Sequence, residues 1–180
     1  MSTRALLRRM VENNAWSNLR LHRACAELDD AAYRAPRTSF FPSIPATLNH
    51  IYLVDLFYID AISGGGRGRA IFESEPPREH EALFAAQRES DRRLIDLVAG
   101  FPDEASLERP VTVAFRAGPH VEAARDVLLH LLTHQMHHRG QVHAMLSGTS
   151  VAPPQLDEYF LAADAPLRTE ELRALGIAER

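Results

Sequence analysis

The 180-residue chain holds a single cysteine, Cys25, and no lysine. One thiol excludes an internal disulfide framework and makes a reducing cytoplasm the expected setting. Without lysine there is no Schiff-base chemistry and no phosphate loop of the lysine type. Nine glycines and eleven prolines are too few for a fibrous or low-complexity chain. No apolar run approaches the roughly 20 residues that span a bilayer. The longest, at 51–62, is cut by Asp55 and Asp60, so no membrane association is expected. Arg4, Arg8 and Arg9 open the chain, but polar and apolar residues then alternate, so no signal peptide is expected. A net charge of −4 argues against a nucleic-acid partner.

What is present is ordinary globular composition, 46% hydrophobic and 24% charged, with nine histidines of which four fall within residues 130–138. There is no internal repeat and no linker. The chain reads as one domain over 1–180, with a core over 3–147 and a C-terminal extension over 148–180. Apolar residues at three- and four-residue spacing predict helices over 3–29, 45–62, 78–99 and 122–147. Pro45 suits a first helical turn, and Gly64-Gly65-Gly66 stops the second helix. The β-branched run at 111–115 with Ala117-Gly118-Pro119 predicts a short hairpin from 110 to about 122. Short helices are expected over 155–163 and 169–175. The loop Ser63–Glu75 is either a lid or a plain solvated loop. The fold class is all-α, a four-helix bundle with a short β-hairpin before the last long helix.

The last long helix carries the chemistry. His130, His134, His137 and His138 offer pairs at the three- and four-residue spacing that shares one face. The apolar stripe of Leu128, Leu131, Leu132, Val142 and Met145 is centred near Leu128 and Gln135. His134 and His138 lie at its margin, where a ligand must be to meet another helix, while His130 and His137 fall toward solvent. Two imidazoles four apart on a helix converge on one ion without strain. His50, on a helix apolar nearly all round, is the candidate third ligand, because an unpaired buried imidazole is costly. His22, His80 and His143 read as hydrogen-bonded core residues. No Glu follows His134, so the zinc-protease pattern is absent.

Asn13, Trp16 and Asn18, the run Phe40-Phe41-Pro42-Ser43-Ile44-Pro45-Ala46-Thr47-Leu48-Asn49-His50, and the run His134-Gln135-Met136-His137-His138-Arg139-Gly140-Gln141-Val142-His143 resemble the DinB family of bacterial damage-inducible proteins. The similarity spans about residues 6–147, with a further Pro-Pro-x-Leu-Asp stretch at 153–157. It implies an up-down-down-up order of helices, often in a homodimer, and one divalent ion per chain, nickel or zinc, held by His50, His134 and His138. Relatives are described either as metal-dependent hydrolases or as transferases that use low-molecular-weight thiols on small molecules.

Three protein ligands leave a coordination position open, the catalytic rather than the structural pattern. Transfer of a thiol needs no separate base, whereas hydrolysis does. This favours a thiol transferase over a hydrolase or a non-catalytic metal-binding protein. Around the site, Gln141 is placed to orient a ligand imidazole. Asp55 lies inside the apolar face of its helix and is a candidate neighbour of the ligands or the partner of another helix. Trp16 is either a pocket wall or core. Arg139 is either a reader of a substrate carboxylate or a surface neighbour of the ligand pair.

Overall fold

A computed structural model describes residues 1–179. Local chemistry starts and stops each helix. The Ser2 hydroxyl accepts from the Ala5 amide to open α1 (Thr3–Ala26). Asp29 caps α2 (Asp30–Arg34) in the same way, which is why the first helix ends sooner than its apolar spacing suggests. Ser43 caps α3 (Ile44–Ser63), Pro45 sits in its first turn, and Gly64, at φ 70, closes it in the left-handed region that favours glycine. α4 (His80–Ala99) follows, then the antiparallel hairpin β1 (Pro110–Phe115) and β2 (Gly118–Ala123), with Pro110 opposite Ala123. α5 (Ala124–Leu146) leaves the hairpin directly, and α6 (Ala165–Leu175) comes near the C-terminus.

The four long helices form a bundle in which α1 and α3 each pack beside both α4 and α5. Side-chain pairs give their directions. Arg4 reaches the Phe101 carbonyl at 2.9 Å, while His22 meets His80 at 3.2 Å near the other end, so α1 and α4 run antiparallel. His50 meets His134 and Tyr58 meets His130, so α3 and α5 are antiparallel too. Leu7 and Val11 share a core cluster with Leu128 and Leu131, whereas Leu21 and Cys25 share another with Val142 and Met145, so α1 and α5 are parallel. The order is therefore up-down-down-up. No helix among the described residues is long and apolar enough to cross a membrane.

The two core clusters occupy opposite ends of the bundle. Along every long helix a polar layer separates them, comprising Asn14 and Asn18 on α1, Asp55 on α3, Gln87 and Asp91 on α4, and Gln135 and Arg139 on α5. Each of these is at most 3% exposed.

Two expectations require correction. The stretch 155–163 is not a helix, because its carbonyls are taken by distant guanidinium groups. Arg20 donates to the Gln155 carbonyl, and Arg168 donates to the carbonyls of Glu158 and Leu161. The final helix starts at Ala165 rather than 169. The segment after α3 is anchored: it contains a 3₁₀ turn over Gly68–Glu73, and the Asp60 carboxylate accepts from the amides of Arg67 and Gly68.

Candidate metal centre

His50 lies in the second turn of α3, and His134 and His138 lie one turn apart on α5. The antiparallel packing of these helices sets the first ring against the other two. Nε2 of His50 is 2.9 Å from Nε2 of His134, and one ring nitrogen from each of the three histidines lies within 4.8 Å of the others. Around a tetrahedral ion with bonds of about 2.0–2.1 Å, ligand nitrogens stand roughly 3.3 Å apart. The observed spacing brackets that value.

Electrostatics leave all three imidazoles neutral at pH 7. Burial, and then the neighbouring His138, push His50 down to about 4. Burial followed by the surrounding imidazoles pushes His134 down to about 3. His138 is lowered as well, chiefly by burial. Neutral rings offer lone pairs, and lone pairs of two rings 2.9 Å apart repel unless a proton or a cation lies between them. The tautomer of His138 is set by Gln141, whose Oε1 lies 2.8 Å from its Nδ1. An amide oxygen only accepts, so Nδ1 carries the hydrogen and the ring's lone pair is left on Nε2 for a ligand bond. His134 has no such holder, since its buried Nδ1 lacks a partner among the described residues. The donor set fits one divalent ion.

The loop between α2 and α3 covers one flank. The Phe41 ring centre is 4.5 Å from that of His50 and 5.6 Å from that of His138, while Phe40, 76% exposed, stands edge-on to Phe41. Spacing alone did not single out this aromatic wall; its signal is the adjacent pair of phenylalanines upstream of His50. His137 is exposed at the rim and receives a hydrogen bond from the Gln141 amide at 3.1 Å. His130 packs against Tyr58 instead.

Trp16, Asp55 and Arg139 lie elsewhere. Trp16 is fully buried in a cluster with Tyr159 and Leu172, where it anchors the C-terminal extension rather than walling the site. Asp55 pairs across the bundle with Gln87 and Gln135. Arg139 is neither a surface neighbour nor open to a substrate carboxylate: its guanidinium turns inward and donates to Asn14 and Asn18. Of the remaining histidines, His22 and His80 pair with each other, and His143 lies 3.1 Å from the Pro154 carbonyl.

Comparison with known proteins gives one consistent result. The model of the DinB family matches residues 1–171. Protein DinB of Bacillus subtilis (strain 168) is 29% identical over 164 residues, covering 84% of this chain and 92% of that protein.

Proposed function

The chain belongs to the DinB family, and on that premise we propose that it is a metal-dependent enzyme that transfers a low-molecular-weight thiol to an electrophilic carbon of a small molecule. The observation that carries this reading is the donor set: three neutral imidazoles converge, and no Asp or Glu among the described residues joins them. A nickel or zinc ion held by His50, His134 and His138 supplies Lewis acidity, which makes a thiol or a water nucleophilic near pH 7.

The chain's own residues hold and shape the site. Gln141 keeps His138 in the tautomer that presents Nε2, and Phe41 excludes water from one flank. Asp55 hydrogen-bonds through both of its oxygens in the bundle interior, to Gln87 and Gln135, so it does not serve as a base at the cluster. Water attack usually employs such a base. A thiol that has given up its proton to solvent does not: its sulfur–carbon bond forms as the leaving group departs with its electron pair.

The test uses protein purified without a histidine tag and loaded with zinc, nickel or cobalt. Glutathione, bacillithiol and mycothiol are each offered with an electrophilic substrate. The reading expects thiol-dependent conjugation, and sulfur-to-cobalt charge transfer when the thiol is added. Cleavage of esters or amides without any thiol would instead make the protein a hydrolase. A loaded protein silent in both assays would be a non-catalytic metal-binding protein.

A further inference from the structure

The polar layer between the two apolar ends of the bundle is a hydrogen-bonded run that starts and finishes on α5, whose backbone completes it as a ring, and both of its ends lie beside the metal ligands. Gln135 on α5 spends both amide hydrogens on α3, one on the Ile51 carbonyl at 3.1 Å and one on Oδ1 of Asp55. Oδ2 of Asp55 accepts from Nε2 of Gln87 on α4 at 2.6 Å, and the same nitrogen lies 3.2 Å from Oδ1 of Asp91. That oxygen also accepts from Asn18 at 2.8 Å and Asn14 at 3.3 Å on α1. Arg139 then closes the ring by donating to the side-chain oxygens of both asparagines.

The places where the ring touches α3 and α5 matter most. Gln135 directly follows His134, Arg139 directly follows His138, and Ile51 directly follows His50. Successive side chains on a helix are about 100° apart, so fixing the direction of residues 135 and 139 fixes that of 134 and 138. A rotation of α5 by about 20° would carry a nitrogen about 6 Å from its axis through about 2 Å, the length of a metal–nitrogen bond. Apolar packing alone tolerates such adjustments, whereas a buried ring of donors and acceptors does not, because each broken link strands a polar group.

We propose that the ring presets the metal site, with Gln135 as the positioning residue that holds His134 and His138 at ligand distance from His50. The proposal rests on the metal reading above and names residues that act through the ligands rather than on substrate. Among the described residues, Gln135 is the side chain other than the ligands themselves that hydrogen-bonds between the two ligand-bearing helices at the level of the histidines.

The test is zinc affinity at pH 7, measured by competition with a chromophoric chelator well below the unfolding temperature, so that only folded protein is read. Gln135→Met keeps the side-chain length and removes the link; Asp55→Leu removes its acceptor. Both are expected to weaken zinc binding about 10- to 100-fold and to alter the cobalt ligand-field spectrum. Asp55→Asn retains an acceptor for Gln135 and, with the Gln87 amide turned over, gives up only the Gln87–Asp91 contact, so it should lose less affinity than Asp55→Leu. Leu94→Ala, an apolar core residue that takes no part in the ring, should lower the melting temperature and leave affinity unchanged. Parental affinity in Gln135→Met, or an equal loss in Leu94→Ala, would overturn the proposal. So would an Asp55→Asn loss as large as that of Asp55→Leu, which would assign the effect to charge. Should Gln135→Met not fold, Gln87→Met cuts the ring on α4 between Asp55 and Asp91, and unchanged affinity there overturns the proposal equally. A parent protein that takes up no zinc fails the metal reading itself, a result distinct from a parent that binds and variants that bind as well.

Discussion

Trp16 donates its indole hydrogen to Glu171 across 2.7 Å, joining two residues separated by nearly the whole chain. The same carboxylate oxygen accepts from Arg20 at 2.8 Å, and the Arg20 guanidinium lies over the indole at 4.3 Å. Glu171 therefore holds the C-terminal extension against α1. Glu171→Ala should destabilise the protein by about 1–3 kcal/mol, since it leaves the indole N–H and the Arg20 Nε–H without their acceptor. Chemical denaturation should show that loss, limited proteolysis should show earlier cleavage within 148–179, and zinc affinity should stay at the parental value. A drop in zinc affinity would mean that the extension supports the histidines.

Zinc or nickel should raise the melting temperature of protein stripped of metal, by an amount that grows with free ion. At 100 times the dissociation constant the gain is about 2.7 kcal/mol. His138→Ala should abolish the shift, because it removes a ligand and uncouples Gln141. His130→Ala and His137→Ala should keep it, since neither ring belongs to the converging set. Thermal scans over a metal titration separate the three variants.

His22 gives the fold an acid limit independent of the metal site. Burial, and then the neighbouring His80, push it down to about 3, against an ordinary value of 6.5. A group lowered on folding contributes stability that is present above its unfolded value and lost as the pH falls toward its folded one. At pH 5 keeping one imidazole neutral costs about 2 kcal/mol relative to pH 8. His22→Phe, which can stack on Phe84 as the imidazole does at 4.9 Å, should flatten that part of the pH dependence. Denaturation midpoints at pH 8 and pH 5 for both proteins test this; an unchanged slope would remove His22 from the account.

Gly65 and Asp60 should behave as one unit. A Cβ on Gly65 would come within 2.2 Å of the Asp60 Oδ1, so Gly65→Ala must displace the carboxylate that accepts from Arg67 and Gly68. Either Gly65→Ala or Asp60→Ala should cost about 1–2 kcal/mol, and the double variant should cost little more than one alone. Full additivity would show that the glycine serves some other purpose.

The four long helices and the hairpin were legible because their signals are local: apolar spacing, the Ser43–Pro45 start, and the glycines after α3. The histidine set was legible for the same reason, since a wheel places His134 and His138 at the edge of the stripe and His50 stands out as an imidazole on a helix apolar nearly all round. What the sequence hid is held by partners remote along the chain. Arg139 reads as surface until Asn14 and Asn18 are seen to satisfy its charge. Gln135 sits at the centre of the apolar stripe, yet its polarity has meaning only beside Asp55 and the Ile51 carbonyl. The irregular stretch at 155–163 carries helical spacing, but Arg20 and Arg168 claim its carbonyls. No window along one segment can register such competition.

The division of the core into two apolar ends also limits how the helices can slide. In a uniformly greasy bundle, a helix displaced by one turn, about 5.4 Å, meets surroundings much like those it left. Here the same slip of α5 would put one of Gln135 and Arg139, which stand one turn apart, in the other's place, push the remaining one against apolar side chains, and take the Gln135 donor from Asp55. Each polar group stranded in this way would cost about 1–3 kcal/mol, and more where it is charged. The native alignment is thereby distinguished from its nearest misassembled alternatives by a penalty on them, in addition to any gain of its own. A chain with many leucines and a helical tendency nearly throughout thus specifies one stacking of its helices.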